Sequence, residues 1–126
     1  MKGAIVGGGF FAGFHMDAWQ RMPDVEIVAV VDTDAGRAKE FAEKWNIPRV
    51  YGDVREMIAL ERPDFVDIAT RPEAHLHLTA LAAEAKVHVI CQKPMAPTWE
   101  ESVAMVDVCR ENGVRLLMHE NWRWQP

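Results

Sequence analysis

The chain has 126 residues, 49% of them hydrophobic, and 19 acidic side chains against 14 basic ones give a formal net charge of −5. That length carries one core of ordinary size and excludes two, while the acid excess and the scattered basic residues argue against a nucleic-acid footprint. No apolar run reaches the length of a membrane span, and Met1-Lys2-Gly3 leads into the first strand without a signal-peptide pattern, so no membrane partner and a cytoplasmic location are expected.

The first element is an apolar strand that ends in Ile5-Val6-Gly7-Gly8-Gly9-Phe10-Phe11-Ala12. The run from Gly7 to Ala12 is G-x-G-x-x-A. Gly7 permits a sharp turn, Gly9 lets a backbone approach a pyrophosphate, and Ala12 is small enough for close helix-to-sheet packing. A helix beginning near Phe10 would aim the amides of Phe10, Phe11 and Ala12 at phosphate oxygens, where unpaired N–H groups and the helix dipole favour negative charge. Three glycines alone describe a plain tight turn equally well; a strand before, a helix after and an acid at the end of the next strand favour the dinucleotide.

That next strand is Val25 to Asp32, β-branched and nearly uninterrupted, and Asp32 stands 20 residues beyond Ala12. A carboxylate there suits a ribose 2′-hydroxyl, and Asp34 suits the N-cap of the following helix; the alternative is that Asp32 itself is the cap. Asp32 would repel a 2′-phosphate, which favours NAD, and Arg37 one turn later leaves NADP open. Ala38, Phe41, Ala42 and Trp45 follow at helical spacing. Val50-Tyr51 is a short third strand, with Asp53 as the cap of a helix that turns Val54, Met57, Ile58 and Leu60 inward. Phe65 to Ala69 is the fourth strand, and Leu78, Leu81 and Ala82 line the next helix. Val87 to Cys91 is the fifth strand. Thr98 to Glu101 is a capping box for a helix with Val103, Val106 and Cys109 inward, Gly113 ends it, and Val114 to Met118 is the sixth strand. Cys91 and Cys109 lack metal-type spacing and are expected as buried, reduced thiols.

Strands alternating with helices predict an α/β fold: a Rossmann-type doubly wound parallel sheet with helices on both faces, strand order 3-2-1-4-5-6, in one domain over residues 1–126. Ligands of such sheets lie beyond the carboxyl ends of the strands. Those ends carry the glycine turn, Asp32, Thr70-Arg71-Pro72-Glu73-Ala74-His75, Cys91-Gln92-Lys93-Pro94, and His119-Glu120-Asn121-Trp122-Arg123-Trp124-Gln125-Pro126. His75 and His77 point to different faces of a helix, so no metal site is expected. His88 and His119 read as structural.

Taken together, the glycine turn followed by His15, the loop Thr70 to His75, the tripeptide Gln92-Lys93-Pro94 and the aromatic segment Asn121-Trp122-Arg123-Trp124 resemble the N-terminal domain of the Gfo/Idh/MocA oxidoreductases. The resemblance runs through the whole chain in the right order. It implies NAD or NADP as cofactor, with Thr70, Pro72, His75, Gln92 and Lys93 beside the dinucleotide, and Trp122 and Trp124 able to line the nicotinamide side. His75 reads equally as a packing or capping residue, and His15 reads more simply as a packed, hydrogen-bonded histidine. Lys93 is the implied catalytic residue, since a cation there orients the substrate oxygen, stabilises developing alkoxide, or exchanges a proton. Where members carry glutamate, this chain has Gln92, an amide that hydrogen-bonds without a charge.

The resemblance further implies hydride transfer between the nicotinamide and a sugar, polyol or related secondary alcohol, completed by a larger second domain outside these 126 residues. A non-catalytic module that senses NAD(H) or pairs with a partner chain is the alternative; a methyltransferase using a similar turn leaves Lys93-Pro94 unexplained. Trp122, Trp124 and the sixth strand would leave apolar surface uncovered, and a homo-oligomer is expected on that ground.

Overall fold

The computed structural model describes residues 1–120. Six parallel strands, β1 (Lys2–Val6), β2 (Glu26–Val31), β3 (Arg49–Tyr51), β4 (Phe65–Ile68), β5 (His88–Gln92) and β6 (Leu116–His119), form one sheet in the order β3-β2-β1-β4-β5-β6. Five helices connect them: α1 (Phe10–Trp19), α2 (Ala35–Trp45), α3 (Val54–Glu61), α4 (His75–Glu84), preceded by a 3-10 turn over Pro72–Ala74, and α5 (Trp99–Asn112). Strand order and crossovers are those read from the sequence. Order reverses between β1 and its neighbours β2 and β4, which places the switch point of the sheet beside the glycine turn.

Side-chain alternation along the strands divides the core in two. Ile5, Val30 and Phe65 meet Ala12 and Met16 of α1 and Phe41 and Ala42 of α2 on one face. Ala4, Val66, Val89 and Cys91 meet Met57 of α3, Ala82 and Ala83 of α4, and Met105 and Cys109 of α5 on the other. Ile5, Ile68, Met57 and Met105 are fully buried, and each contributes about 1.5–3 kcal/mol through burial. Cys91 and Cys109 are free thiols; burial, with Asp67 nearby, pushes Cys91 up to about 12, so it stays protonated and inert at neutral pH.

Three helices carry the caps expected of them: Asp34 accepts from the Arg37 amide and Asp53 from the Glu56 amide, both at 2.9 Å, and Thr98 from the Glu101 amide at 3.2 Å. Each is worth about 1 kcal/mol. Gly113 ends α5 in the left-handed region, with φ at 69°. Some inward assignments are corrected. Leu60 of α3 and Val103 and Val106 of α5 are exposed, and α5 buries Met105 together with the expected Cys109, four residues apart. β5 and β6 also run on to Gln92 and His119, because the ladder between them continues that far and pairs Gln92 with His119. Trp122 and Trp124 lie outside the described residues.

Candidate functional site

The glycine turn leaves β1 with Gly7 at φ +98°, its amide donating to the Val31 carbonyl at 2.7 Å. A Cβ at Gly7 would sit 2.8 Å from the Ala69 carbonyl oxygen, so the position is closed to side chains by conformation and by space. Gly9 differs. It is the N-cap of α1 in extended conformation, and a Cβ there would meet nothing within 4 Å. The room beside Gly9 is therefore not used by the fold itself. No side chain caps α1 and its first turn holds no acid, whereas α2, α3 and α5 are capped by side chains; α4 is likewise uncapped, but the 3-10 turn over Pro72–Ala74 runs straight into it. The positive end of α1 is thus left to meet an anion. Phe10 and Phe11 have exposed rings while Ala12 is fully buried, so these residues offer amides to the turn and Ala12 brings the helix down on the sheet.

Asp32 follows β2 directly and sits over this turn. Its Oδ2 accepts from the Gly8 amide at 2.9 Å and from Arg37 Nε at 2.8 Å; its Oδ1 accepts from the Asp34 amide at 2.9 Å and from Arg37 Nη2 at 2.7 Å. Burial pushes the Asp32 carboxyl up, but the Arg37 fork and the two amides outweigh it and hold it lowered to about 2. Asp34 is the cap of α2, as read from the sequence, and Asp32 is not. The bidentate Arg37 contact was not foreseen, although the spacing of five residues from a strand-end acid to the first turn of a helix is compatible with it.

Thr70, Pro72 and His75 form the loop beyond β4. Pro72 opens the 3-10 turn, and His75 is fully buried with Nδ1 3.0 Å from the Met95 carbonyl and Nε2 3.1 Å from the Thr70 carbonyl. Backbone carbonyls thus flank the ring on both sides, and its N–H donates to one of them. The packing alternative describes the side chain as it stands: the buried His75 ring ties the loop after β4 to the segment after β5, while Thr70 and Pro72 are half-buried.

Beyond β5 the side chains of Gln92 and Lys93 border a cavity of about 570 Å³ shared with Phe11, His15, Met118 and His119. Lys93 is exposed, and the Lys93–Pro94 peptide is cis. Under the cavity lies Asp67, in β4 and fully buried. It accepts from Trp19 Nε1 at 2.7 Å, from His15 Nδ1 at 3.1 Å and from His119 Nε2 at 3.1 Å, and the two imidazoles overlap with centroids 4.0 Å apart. Burial pushes the Asp67 carboxyl up; the hydrogen bonds from His119 and His15 win and hold it lowered to about 2. Neither Asp67 nor the grouping of His15 with His119 was singled out in the sequence, and an aspartate inside an apolar strand was the one signal for it. On the opposite side of α1, a second cavity of about 550 Å³ is lined by Gly8, Gly9, Phe10, Arg37 and Phe41, so the two hollows flank the open end of that helix.

This is the layout of a domain that holds a two-part ligand across the switch point of its sheet. The family model described as the oxidoreductase family, NAD-binding Rossmann fold, of the Gfo/Idh/MocA group matches residues 1–120. The chain belongs to that family. Within the Gfo/Idh/MocA oxidoreductases it is 46% identical over 125 residues to a D-apiose dehydrogenase of Paraburkholderia graminis, a match that covers 99% of this chain and 33% of that protein. An oxidoreductase from Agrobacterium radiobacter, solved in complex with NAD+, L-tartaric acid and magnesium, is 42% identical with a TM-score of 0.95 over 99% of this chain and 36% of that one. The WlbA dehydrogenase from Bordetella pertussis, solved with NADH and UDP-GlcNAcA, has a TM-score of 0.95 at 28% identity, over 99% of this chain and 39% of that one. The chain spans about a third of the length of the curated relatives it matches. Among the described residues no helix is long and apolar enough to cross a membrane.

Proposed function

We propose that this chain is the cofactor domain of an NAD-dependent dehydrogenase that acts on a secondary hydroxyl of a sugar or polyol, with Gly7, Gly9 and the amides of Phe10, Phe11 and Ala12 cradling the pyrophosphate, Asp32 on the adenosine ribose, and Lys93 at the reacting oxygen. The observation that carries this reading is the uncapped, acid-free start of α1, opening on the same strand ends as Asp32 and Lys93. The empty space at Gly9 fits a phosphate that a side chain would exclude. The sugar dehydrogenases among the relatives support the substrate class. Nicotinamide supplies the hydride acceptor when bound; the chain's own residues bind, orient and exchange a proton. In the oxidation direction the Lys93 amine takes the proton that leaves the substrate hydroxyl and becomes an ammonium; in the reduction direction the ammonium returns it to the oxygen as the hydroxyl forms.

Calorimetric titration with NAD+ tests the phosphate assignment. Gly9→Val is expected to weaken binding by about tenfold or more, because its side chain enters the ligand's space. Thermal stability should hold, since that Cβ meets no protein atom within 4 Å. Unchanged affinity would overturn the assignment. Gly7→Ala would not make this test, because strain at positive φ costs the fold itself about 1–3 kcal/mol.

Asp32 and Arg37 set the choice of cofactor in this reading. The Asp32 charge opposes a 2′-phosphate, while Arg37, once released from it, pairs with one. Arg37→Ala should therefore weaken NADP+ binding by about tenfold while NAD+ changes less, since a charge-assisted pair is worth about 1.5–3 kcal/mol. Asp32→Ala should narrow the preference for NAD+. Titrations with both dinucleotides measure the ratio, and equal losses for the two would remove Arg37 from the role.

A homo-oligomer and a cytoplasmic location complete the proposal. Among the described residues β6 lies at the edge of the sheet and carries the half-exposed Leu117, a surface that favours association. Light scattering should find a species larger than a monomer at micromolar concentration; a monomer throughout would contradict it.

A further inference from the structure

The side chains beneath Lys93 form a chain of hydrogen bonds whose direction is fixed from one end. The Lys93 amide is necessarily a donor, and it lies 2.7 Å from Gln92 Oε1. The oxygen of the Gln92 amide is thereby pinned toward Lys93, and its NH2 must face the other way, where His15 Nε2 lies 3.1 Å off. His15 Nε2 therefore receives a hydrogen bond and carries no proton. The remaining nitrogen, Nδ1, carries it and donates to Asp67, 3.1 Å from both carboxylate oxygens. His15 is buried, and Asp67 fully so, with Trp19 Nε1 and His119 Nε2 as its other donors.

The atoms of His15, Asp67 and His119 also lie close enough together to ligate a cation, all within 4.8 Å. The Gln92 orientation speaks against that use. A cation on His15 Nδ1 would send the ring proton to Nε2, where it would oppose the Gln92 NH2; turning the amide over would then oppose its NH2 to the Lys93 N–H.

We infer that His15 and Gln92 are positioning residues for Lys93, with His15 held neutral as the Nδ1–H tautomer on the buried Asp67 and Gln92 carrying that polarity to the Lys93 backbone. The inference rests on the reading of Lys93 as the group at the reacting oxygen. It also gives the glutamine a reason. A glutamate at 92 would accept from the Lys93 amide equally well but place its second oxygen against His15 Nε2, which is bearable only if His15 gains a second proton. With Asp67, His119, Lys93 and Glu120 as the other ionisable groups around the ring, glutamine leaves His15 neutral and removes one negative charge from beside Lys93.

Imidazole nitrogen NMR on the protein labelled with nitrogen-15 tests this directly. In the unaltered protein at neutral pH, His15 should show a protonated Nδ1 and an unprotonated Nε2. In Gln92→Glu both nitrogens should be protonated, with the His15 titration moved to higher pH. Gln92→Leu, which removes the acceptor from the Lys93 amide, should lower kcat about ten- to hundredfold with little change in the KM for NAD+, as misplacement of an aligned group does. Gln92→Glu should restore much of kcat, with turnover falling as pH rises through the raised His15 ionisation. An Nε2–H or doubly protonated His15 in the unaltered protein, or a His15 titration unmoved by Gln92→Glu, would overturn the inference, whatever Lys93→Ala does to the rate. The tautomer needs no variant to fold, and it would stand even if Lys93 proved dispensable, so the two failures are separable.

Discussion

Replacing Lys93 by alanine is expected to lower kcat by about a hundredfold or more in the protein that carries this domain, with the affinity for NAD+ within about twofold of the original. The asymmetry follows from where Lys93 stands. It is on the exposed turn after β5 at the rim of one cavity, while Gly8, Gly9 and Arg37 line the other, and the glycine turn and Asp32 hold the other end of the dinucleotide in the proposed arrangement. A cation that meets an oxygen only as charge develops there lowers the barrier without adding to ground-state binding. Lys93→Arg should recover little, because guanidinium keeps the charge but does not give up a proton near neutral pH. Steady-state rates read from NADH absorbance, with fluorescence titration of the cofactor, separate the two quantities. Full activity in the alanine variant would return Lys93 to an ordinary solvated loop.

The second large effect is on stability. Asp67→Ala is expected to cost about 2–4 kcal/mol, since it leaves three donors, from the buried His15 and the half-buried Trp19 and His119, facing a cavity instead of a carboxylate. Urea denaturation should show it as a lower midpoint with a similar slope. The same carboxylate sets an acid limit. Its folded pKa, about 2, lies below the ordinary value of 3.8, so its contribution is fully present above about pH 4 and is lost as pH falls through about 2. Asp67→Asn should remove that acid dependence, and a variant as stable as the original at pH 7 would show that the three donors find other partners.

Much of this was legible in the chain, and the parts that were not have a common cause. The glycine turn, the caps at Asp34, Asp53 and Thr98 and the left-handed Gly113 depend on residues close in sequence, where spacing and local conformation decide, and the strand order follows from the alternation of strands and helices under the rules of parallel-sheet connection. Asp67 and its donors do not. Residues 15, 19, 67 and 119 converge only because β4 lies between β1 and β5 and α1 packs across it, and no local pattern marks a partnership of that span. His119 read as structural for the same reason, and His15 as a packed histidine, which is what its hydrogen bonds make it; its tautomer and its path to Lys93 needed coordinates. His75 shows the reverse: its position relative to Pro72 and the strand end was legible, but that its ring turns inward between the Thr70 and Met95 carbonyls was not. On α5 Cys109 was placed correctly, whereas Met105 is buried where Val106 was expected.

The placement of the dinucleotide across the open end of α1 is tested most directly by amide NMR of the protein as NAD+ is added. The account predicts that the shifts concentrate at Gly7 to Ala12, at Asp32 and Asp34, and at Thr70 and Gln92 to Lys93, and that the oxidised and reduced cofactors differ mainly at the Lys93 end. Shifts confined to other surfaces, with the amides of Gly9, Phe10 and Phe11 unmoved, would contradict it.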